Sequence, residues 1–187
     1  MTSKATTTCS AQHTALIVID IQNEYFEGGA LPLWQAQDCL QTTLRLIQHY
    51  QQQQSPVILI QHLADNSQGP TGSFDAGSNG AALHPDLLTS AADAPVIVKH
   101  YADSFFNTGL AELLKRLQIQ EIHLCGMMTQ NCVTHTALSP EARDYQVNII
   151  ADACTTISPL LHQIAIRALS ARHRLLQSTD LLAAGTD

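Results

Sequence analysis

Charge is scarce in this chain, and positive charge is scarcer: charged residues make up 13%, and nine Lys and Arg face sixteen Asp and Glu. The formal net charge of -7 excludes a partner held mainly by its phosphates, whether nucleic acid or an anionic membrane surface, and the basic residues form no stripe. No apolar run approaches the ~20 residues a membrane helix needs. The opening stretch MTSKATTTCSAQHT has neither the apolar core nor the cleavage pattern of a signal peptide. A frayed tail over 1–13 and a cytoplasmic location are therefore expected. Paired cysteines are missing too. Cys9, Cys39, Cys125, Cys132 and Cys154 form no CxxC, and their odd number favours free thiols over a disulfide framework. No internal repeat and no composition shift divides the remainder, so 14–187 reads as one domain.

What is present is a core. Apolar residues make up 45% of 187, enough for a domain with a sizeable interior. Ala15–Ile19 is a continuous, mostly β-branched run that stops abruptly at Asp20. Val57–Ile60, Val96–Val98, Ile122–Cys125 and Val147–Ala151 repeat the pattern, with a weaker run near Leu175–Leu182. Unbroken apolar runs mark strands buried on both faces, as in a parallel sheet covered by helices. Helical spacing fills the gaps over Trp34–Gln54 and Ser104–Leu117. A third helix, with Ser158 as N-cap and Pro159 at its first position, is expected to bury Leu160, Leu161, Ile164, Ala168 and Leu169. Alternating strands and helices indicate an α/β fold with a mostly parallel sheet. Ala64–Ala82, rich in Gly, Ser, Asn and Asp, has no periodicity and reads as a long loop, functional or mobile. Pro140 predicts a break after the helix that follows Asn131.

Open α/β sheets bind ligands beyond the carboxyl ends of their strands. Three chemically useful residues fall at such ends: Asp20 after the first run, Lys99 after Val96–Val98, and Cys132 a short connection beyond Ile122–Cys125. Singly, an acid there is usually a cap, a lysine a solvated charge and a cysteine a packing residue. Together they make a nucleophile, a base and a cation. Asp20 takes the thiol proton, while Lys99 stabilises the thiolate. Either Thr129 or Asn131 begins the helix that carries Cys132, placing the sulfur at the positive end of its dipole.

At these residues the sequence resembles the isochorismatase-like cysteine hydrolase superfamily. The matching stretches are ALIVIDIQNEYF (Ala15–Phe26), VIVKHYADSFFNTGL (Val96–Leu110), LCGMMTQNCVTHTAL (Leu124–Leu138) and DACTT (Asp152–Thr156). The resemblance implies a six-stranded, Rossmann-like three-layer fold with helices on both faces of the sheet. It also implies a catalytic triad of Asp20, Lys99 and Cys132, and hydrolysis of nicotinamide, carbamoyl amines, biuret-like ureides or a streptothricin-type lactam through a thioester. A cis peptide between Met127 and Met128 is implied as well, aiming the Met128 N–H at the oxyanion beside that of Cys132. Relatives are often dimers or tetramers, so a homo-oligomer acting on a small molecule is expected.

Departures narrow the expectation. Nicotinamidase-type members carry an Asp-x-His…His metal site after the second strand, whereas ILIQHLADN offers only His62, so neither a metal nor another cofactor is expected. Gln22, Tyr25 and Phe26 follow the base and are candidates for the pocket wall, as are His62, Phe74, Tyr101 and Phe105. Two rival readings stand beside the amide hydrolase. One is a vinyl-ether hydrolase of the isochorismatase type, against which the retention of Cys132 argues. The other is a non-catalytic, redox-sensing protein.

Overall fold

The computed structural model describes residues 13–65 and 67–183. Its six strands are β1 (Thr14–Ile19), β2 (Val57–His62), β3 (Val96–Lys99), β4 (Glu121–Met127), β5 (Gln146–Thr155) and β6 (Arg174–Leu176). They form one sheet in the order β3-β2-β1-β4-β5-β6, parallel throughout. The described helices are α1 (Ala36–Gln52), α2 (Pro85–Ser90), α3 (Leu110–Arg116), α4 (Thr134–Leu138), α5 (Pro159–Leu169) and α6 (Ser178–Leu182). The architecture is the expected α/β sheet flanked by helices. None of the described helices is long and apolar enough to cross a membrane.

The central strands carry the core. Ala15–Ile19 are wholly buried, and β4 is buried along its length, which is why these segments read as unbroken apolar runs. Each Leu or Ile enclosed in this way contributes about 1.5–3 kcal/mol. β3 departs from the expectation. It is an edge strand paired only to β2, and Val96 and Val98 are each 41% exposed. Cys39, Cys125, Cys132 and Cys154 are buried and free. The tail expected over 1–13 lies, His13 apart, outside the described residues. His13 itself is held to Gln118 and Gln120.

Three helices differ from the periodicity, each for a local reason. α3 begins at Leu110 rather than Ser104. Before it, Thr108 Oγ1 donates to the Ser104 carbonyl (2.6 Å) and Asp103 accepts the Phe105 N–H (2.8 Å), so side chains capture the backbone groups a helix needs. α5 is capped as expected, with Ser158 Oγ accepting the Leu161 N–H (3.3 Å) and Pro159 at the first position. It buries Ala165 and Leu169, however, and leaves Leu160 67% and Ile164 57% exposed, because its apolar stripe is wider than its contact with the sheet. The weak run at Leu175–Leu182 divides into β6 and α6, since Asp152 accepts both the backbone N–H (2.8 Å) and the hydroxyl (2.5 Å) of Ser178 and starts a helix there. The break at Pro140 is present, with α4 ending at Leu138.

One glycine shapes the end of β4. Gly126 adopts φ +117°, the pairing of β4 with β5 shifts register beside it, and a Cβ there would lie 2.0 Å from the Ile19 carbonyl oxygen. The close approach of β4 to β1 therefore requires a residue without a side chain. Gly126→Ala should destabilise the protein by about 2 kcal/mol or more, read from urea unfolding. An unchanged midpoint would show that the strand end relaxes freely.

Candidate active site

Parallel strands bring their carboxyl ends to one edge of the sheet, and the strand order reverses between β1 and β4, where a crevice opens. Asp20 follows β1 in a left-handed conformation (φ 51°), after its N–H has extended the ladder to the Ile60 carbonyl (3.1 Å). Lys99 ends β3, two strand positions away, about 10 Å at the usual spacing. Only a long side chain crosses the end of β2 from there. The Lys99 ammonium reaches Asp20 Oδ2 at 2.8 Å, Cys132 Sγ at 3.3 Å and the Tyr101 carbonyl at 3.1 Å. Asp20 and Lys99 are completely buried, and Cys132 is 3% exposed.

Charge and burial set the protonation state. Burial works against the Lys99 ammonium, but the charges and hydrogen bonds of Asp20 and Cys132 outweigh it and hold its pKa above the ordinary value. Burial pushes the Cys132 thiol well up and the charge of Asp20 adds to this, while Lys99 only partly opposes them. Burial thus works against charge at both Lys99 and Cys132, and only at Lys99 do the neighbours outweigh it.

Cys132 is presented by a wide turn of π type, Thr129–Val133, that enters α4, and the Met127–Met128 peptide before it is cis. The helical segment that carries Cys132 begins at Thr129, one of the two expected positions, with no side-chain cap. Thr129 Oγ1 instead donates to the Thr155 carbonyl (3.0 Å) and meets His162 Nδ1 (3.0 Å), tying the turn to β5 and α5. The turn continues without a break into α4, and Lys99 adds a full positive charge 3.3 Å from the sulfur. Thr136 Oγ1 donates to Ser104 Oγ (2.8 Å) and accepts the Ser104 N–H (3.0 Å), joining the lysine loop to the cysteine helix. Sequence reasoning missed these supports. The Asp152–Thr156 stretch hinted at Thr155, but nothing in the sequence points to His162.

The candidate pocket residues divide. Tyr25, Phe74 and His62 come together, with ring centroids 5.2 Å apart for Tyr25–Phe74 and 5.3 Å for His62–Phe74. Phe74 belongs to the long loop, which closes on its own chain, and Glu24 Oε1 accepts the Phe74 N–H at 3.3 Å. Burial, then the charges of Asp20, Cys132 and Glu24, raise the Tyr25 phenol far above its usual range, which places a neutral hydroxyl beside the triad. His62 is held neutral by burial and by Lys99, and its buried Nδ1 has no partner among the described residues. Gln22 lines no free space. Its amide donates to the His62 and Ala81 carbonyls (both 2.7 Å) and accepts the His62 N–H (2.9 Å), so it is a staple between β2 and the loop. Tyr101 gives its carbonyl to Lys99, while its ring is 53% exposed against Phe106. Phe26 packs on His84, and Phe105 stacks on Tyr145. Among the described residues no three His, Cys, Asp or Glu side chains converge as metal ligands, and a lysine ammonium stands near His62. The residues do not fit a metal centre.

Residues 14–180 match the isochorismatase domain family. The chain belongs to that family. It is 34% identical over 143 residues to the isochorismatase family protein YddQ of Bacillus subtilis, covering 76% of this chain and 78% of the relative. It is 30% identical over 179 residues to the nicotinamidase of Escherichia coli, covering 77% and 84%. Among solved structures, an isochorismatase hydrolase from Oleispira antarctica superposes with a TM-score of 0.83 at 27% identity, covering 98% of this chain and 99% of the other. The protein is thus an isochorismatase-family hydrolase.

Two outcomes test the electrostatics. Lys99→Met strands a buried carboxylate and should cost about 3–5 kcal/mol in urea unfolding, whereas Asp20→Asn combined with Lys99→Met should recover most of that loss. Equal losses in the single and double variants would show that the pair is not what holds the site. The raised thiol should make alkylation of Cys132 by iodoacetamide, followed by peptide mass, climb about tenfold per pH unit through pH 9. Levelling off below pH 8 would reveal a resting thiolate instead.

Proposed function

We propose that this isochorismatase-family hydrolase cleaves a C–N bond of a small amide, ureide or lactam through a thioester on Cys132. The observation that carries the reading is the buried Lys99 ammonium, which lies within 2.8 Å of the Asp20 carboxylate and 3.3 Å of the Cys132 sulfur. A nicotinamidase among the relatives supports the bond type. Asp20 accepts the thiol proton as sulfur attacks the substrate carbonyl. Lys99 holds the carboxylate in place and balances the charge left on sulfur. The N–H groups of Met128 and Cys132 receive the oxyanion, where one donor typically contributes ~100-fold or more in rate. Asp20 then gives its proton to the departing nitrogen, and a water that loses its proton to Asp20 hydrolyses the thioester. Tyr25, His62 and Phe74 wall the acyl side with neutral rings, which favours a flat, uncharged substrate.

Incubation with a panel of aromatic amides, ureides and lactams, read by intact mass, should give a transient acyl adduct on the native protein and none on Cys132→Ser. Turnover should fall by at least about a thousandfold in that variant. Full activity of Cys132→Ala on an accepted substrate would overturn the thioester route, and cleavage of a vinyl ether by that variant would install the ether hydrolase in its place.

A further inference from the structure

The cysteine turn is anchored at its first residue by a side chain. The β4–β5 ladder ends at the pairing of Met127 with Thr155. Two residues on, Thr129 Oγ1 donates to the Thr155 carbonyl at 3.0 Å, so a hydroxyl continues the pairing where the backbone has turned away. Thr129 is completely buried, and its hydroxyl also lies 3.0 Å from Nδ1 of His162 on α5. Cys132 follows three residues later in the same turn.

The place of one proton follows by elimination. A carbonyl oxygen only accepts, so the single hydroxyl proton of Thr129 points to Thr155. The Thr129 oxygen then has only lone pairs to offer His162, which must donate from Nδ1. The neutral ring therefore carries its proton on Nδ1 and leaves Nε2 bare. Burial lowers the His162 pKa, which keeps the ring neutral at neutral pH. The opposite tautomer would compete. With the proton on Nε2, Nδ1 could only accept, and it would draw the Thr129 proton away from Thr155. The ring is steadied from two sides. Its own N–H donates to the carbonyl of Ser158, the cap of α5, at 3.1 Å. The Trp34 ring lies 6.1 Å away, and the Trp34 N–H donates to the Thr156 carbonyl (3.0 Å) beside the same strand end.

We propose that His162 is a positioning residue for Cys132. Its Nδ1–H bond keeps the Thr129 hydroxyl on the Thr155 carbonyl, and so fixes the turn that presents the sulfur to Lys99. His162 acts through Thr129 and moves no proton in the reaction. Its effect on turnover rests on the thioester reading, whereas its effect on the turn does not. Such geometry is costly to lose, since a misplacement of ~1 Å can lower a rate about a hundredfold. The His162 bond is one of two at the hydroxyl, so its loss loosens the turn without dismantling it, and a fall in kcat of about tenfold is expected. Tyr25, His62 and Phe74 belong to other segments, so KM should hold within about twofold.

Tautomer, exchange and kinetics, all measured on the full chain, test the role together. Long-range nitrogen–proton NMR of the imidazole should find the His162 proton on Nδ1. His162→Leu should lower kcat on an accepted amide about tenfold at nearly constant KM, and should speed amide hydrogen exchange across 129–133 about tenfold while leaving the rest of the sheet protected. His162→Asn, whose amide N–H can stand where Nδ1–H does, should recover most of both losses. Thr129→Val removes the acceptor, so adding His162→Leu to it should cost nothing further. A proton on Nε2, native kcat and exchange in His162→Leu, a loss confined to KM, or no recovery in His162→Asn would each overturn the proposal. So would exchange that quickens equally throughout the sheet, which would make His162 a general support of the fold. If the native protein turns over no amide, the thioester reading falls, while the tautomer and the exchange rates still decide the role of His162.

Discussion

Everything at the carboxyl edge of this sheet depends on one buried ion pair. A lysine and an aspartate, both withdrawn from water, would each carry a heavy desolvation cost alone. At 2.8 Å they offset one another, and the lysine spends its remaining donors on the cysteine sulfur and a backbone carbonyl. The pair therefore fixes where the Cys132 sulfur must lie as well as joining β1 to β3. The same burial that makes the pair costly strengthens it, because opposite charges 2.8 Å apart attract more strongly where the effective dielectric constant is low.

The supports around the pair follow from what a strand end leaves unsettled. Beyond the last ladder hydrogen bond, the backbone is free to choose its path, and here polar side chains choose it. Thr129, Thr136 and Gln22 each bind two or more groups on other segments, holding the cysteine turn, the lysine loop and the long loop in register. Gly126 adds a steric condition, since β4 approaches β1 too closely for any side chain.

Much of this was legible in the sequence because burial leaves a simple record. Strands covered on both faces must be apolar throughout, and an ionisable residue set against the end of such a run stands out, as Asp20 and Lys99 do. Resemblance to a family then connected Cys132 to them. What was hidden depended on three-dimensional phase. The stripe of α5 predicts contact but not which part of it meets β5, so Leu160 and Ile164 were misplaced. The helix expected from Ser104 failed because local hydrogen bonds outcompeted a weak periodicity. Gln22 looked like a substrate ligand because a polar residue beside a base suggests one, although its amide is fully used by the backbone.

The wide spacing of the triad along the chain has a consequence for the newly made protein. Asp20 follows β1, Lys99 ends β3 and Cys132 follows β4, in a sheet whose strand order is not the order of synthesis. The carboxylate leaves the ribosome first and waits for β3 before it meets its cation, and the thiol arrives only after β4. Parallel sheets close late, when distant segments finally pair. A nascent chain that ends before residue 132 therefore holds at most the ion pair, and the sulfur joins it only once β4 and the turn beyond it have emerged.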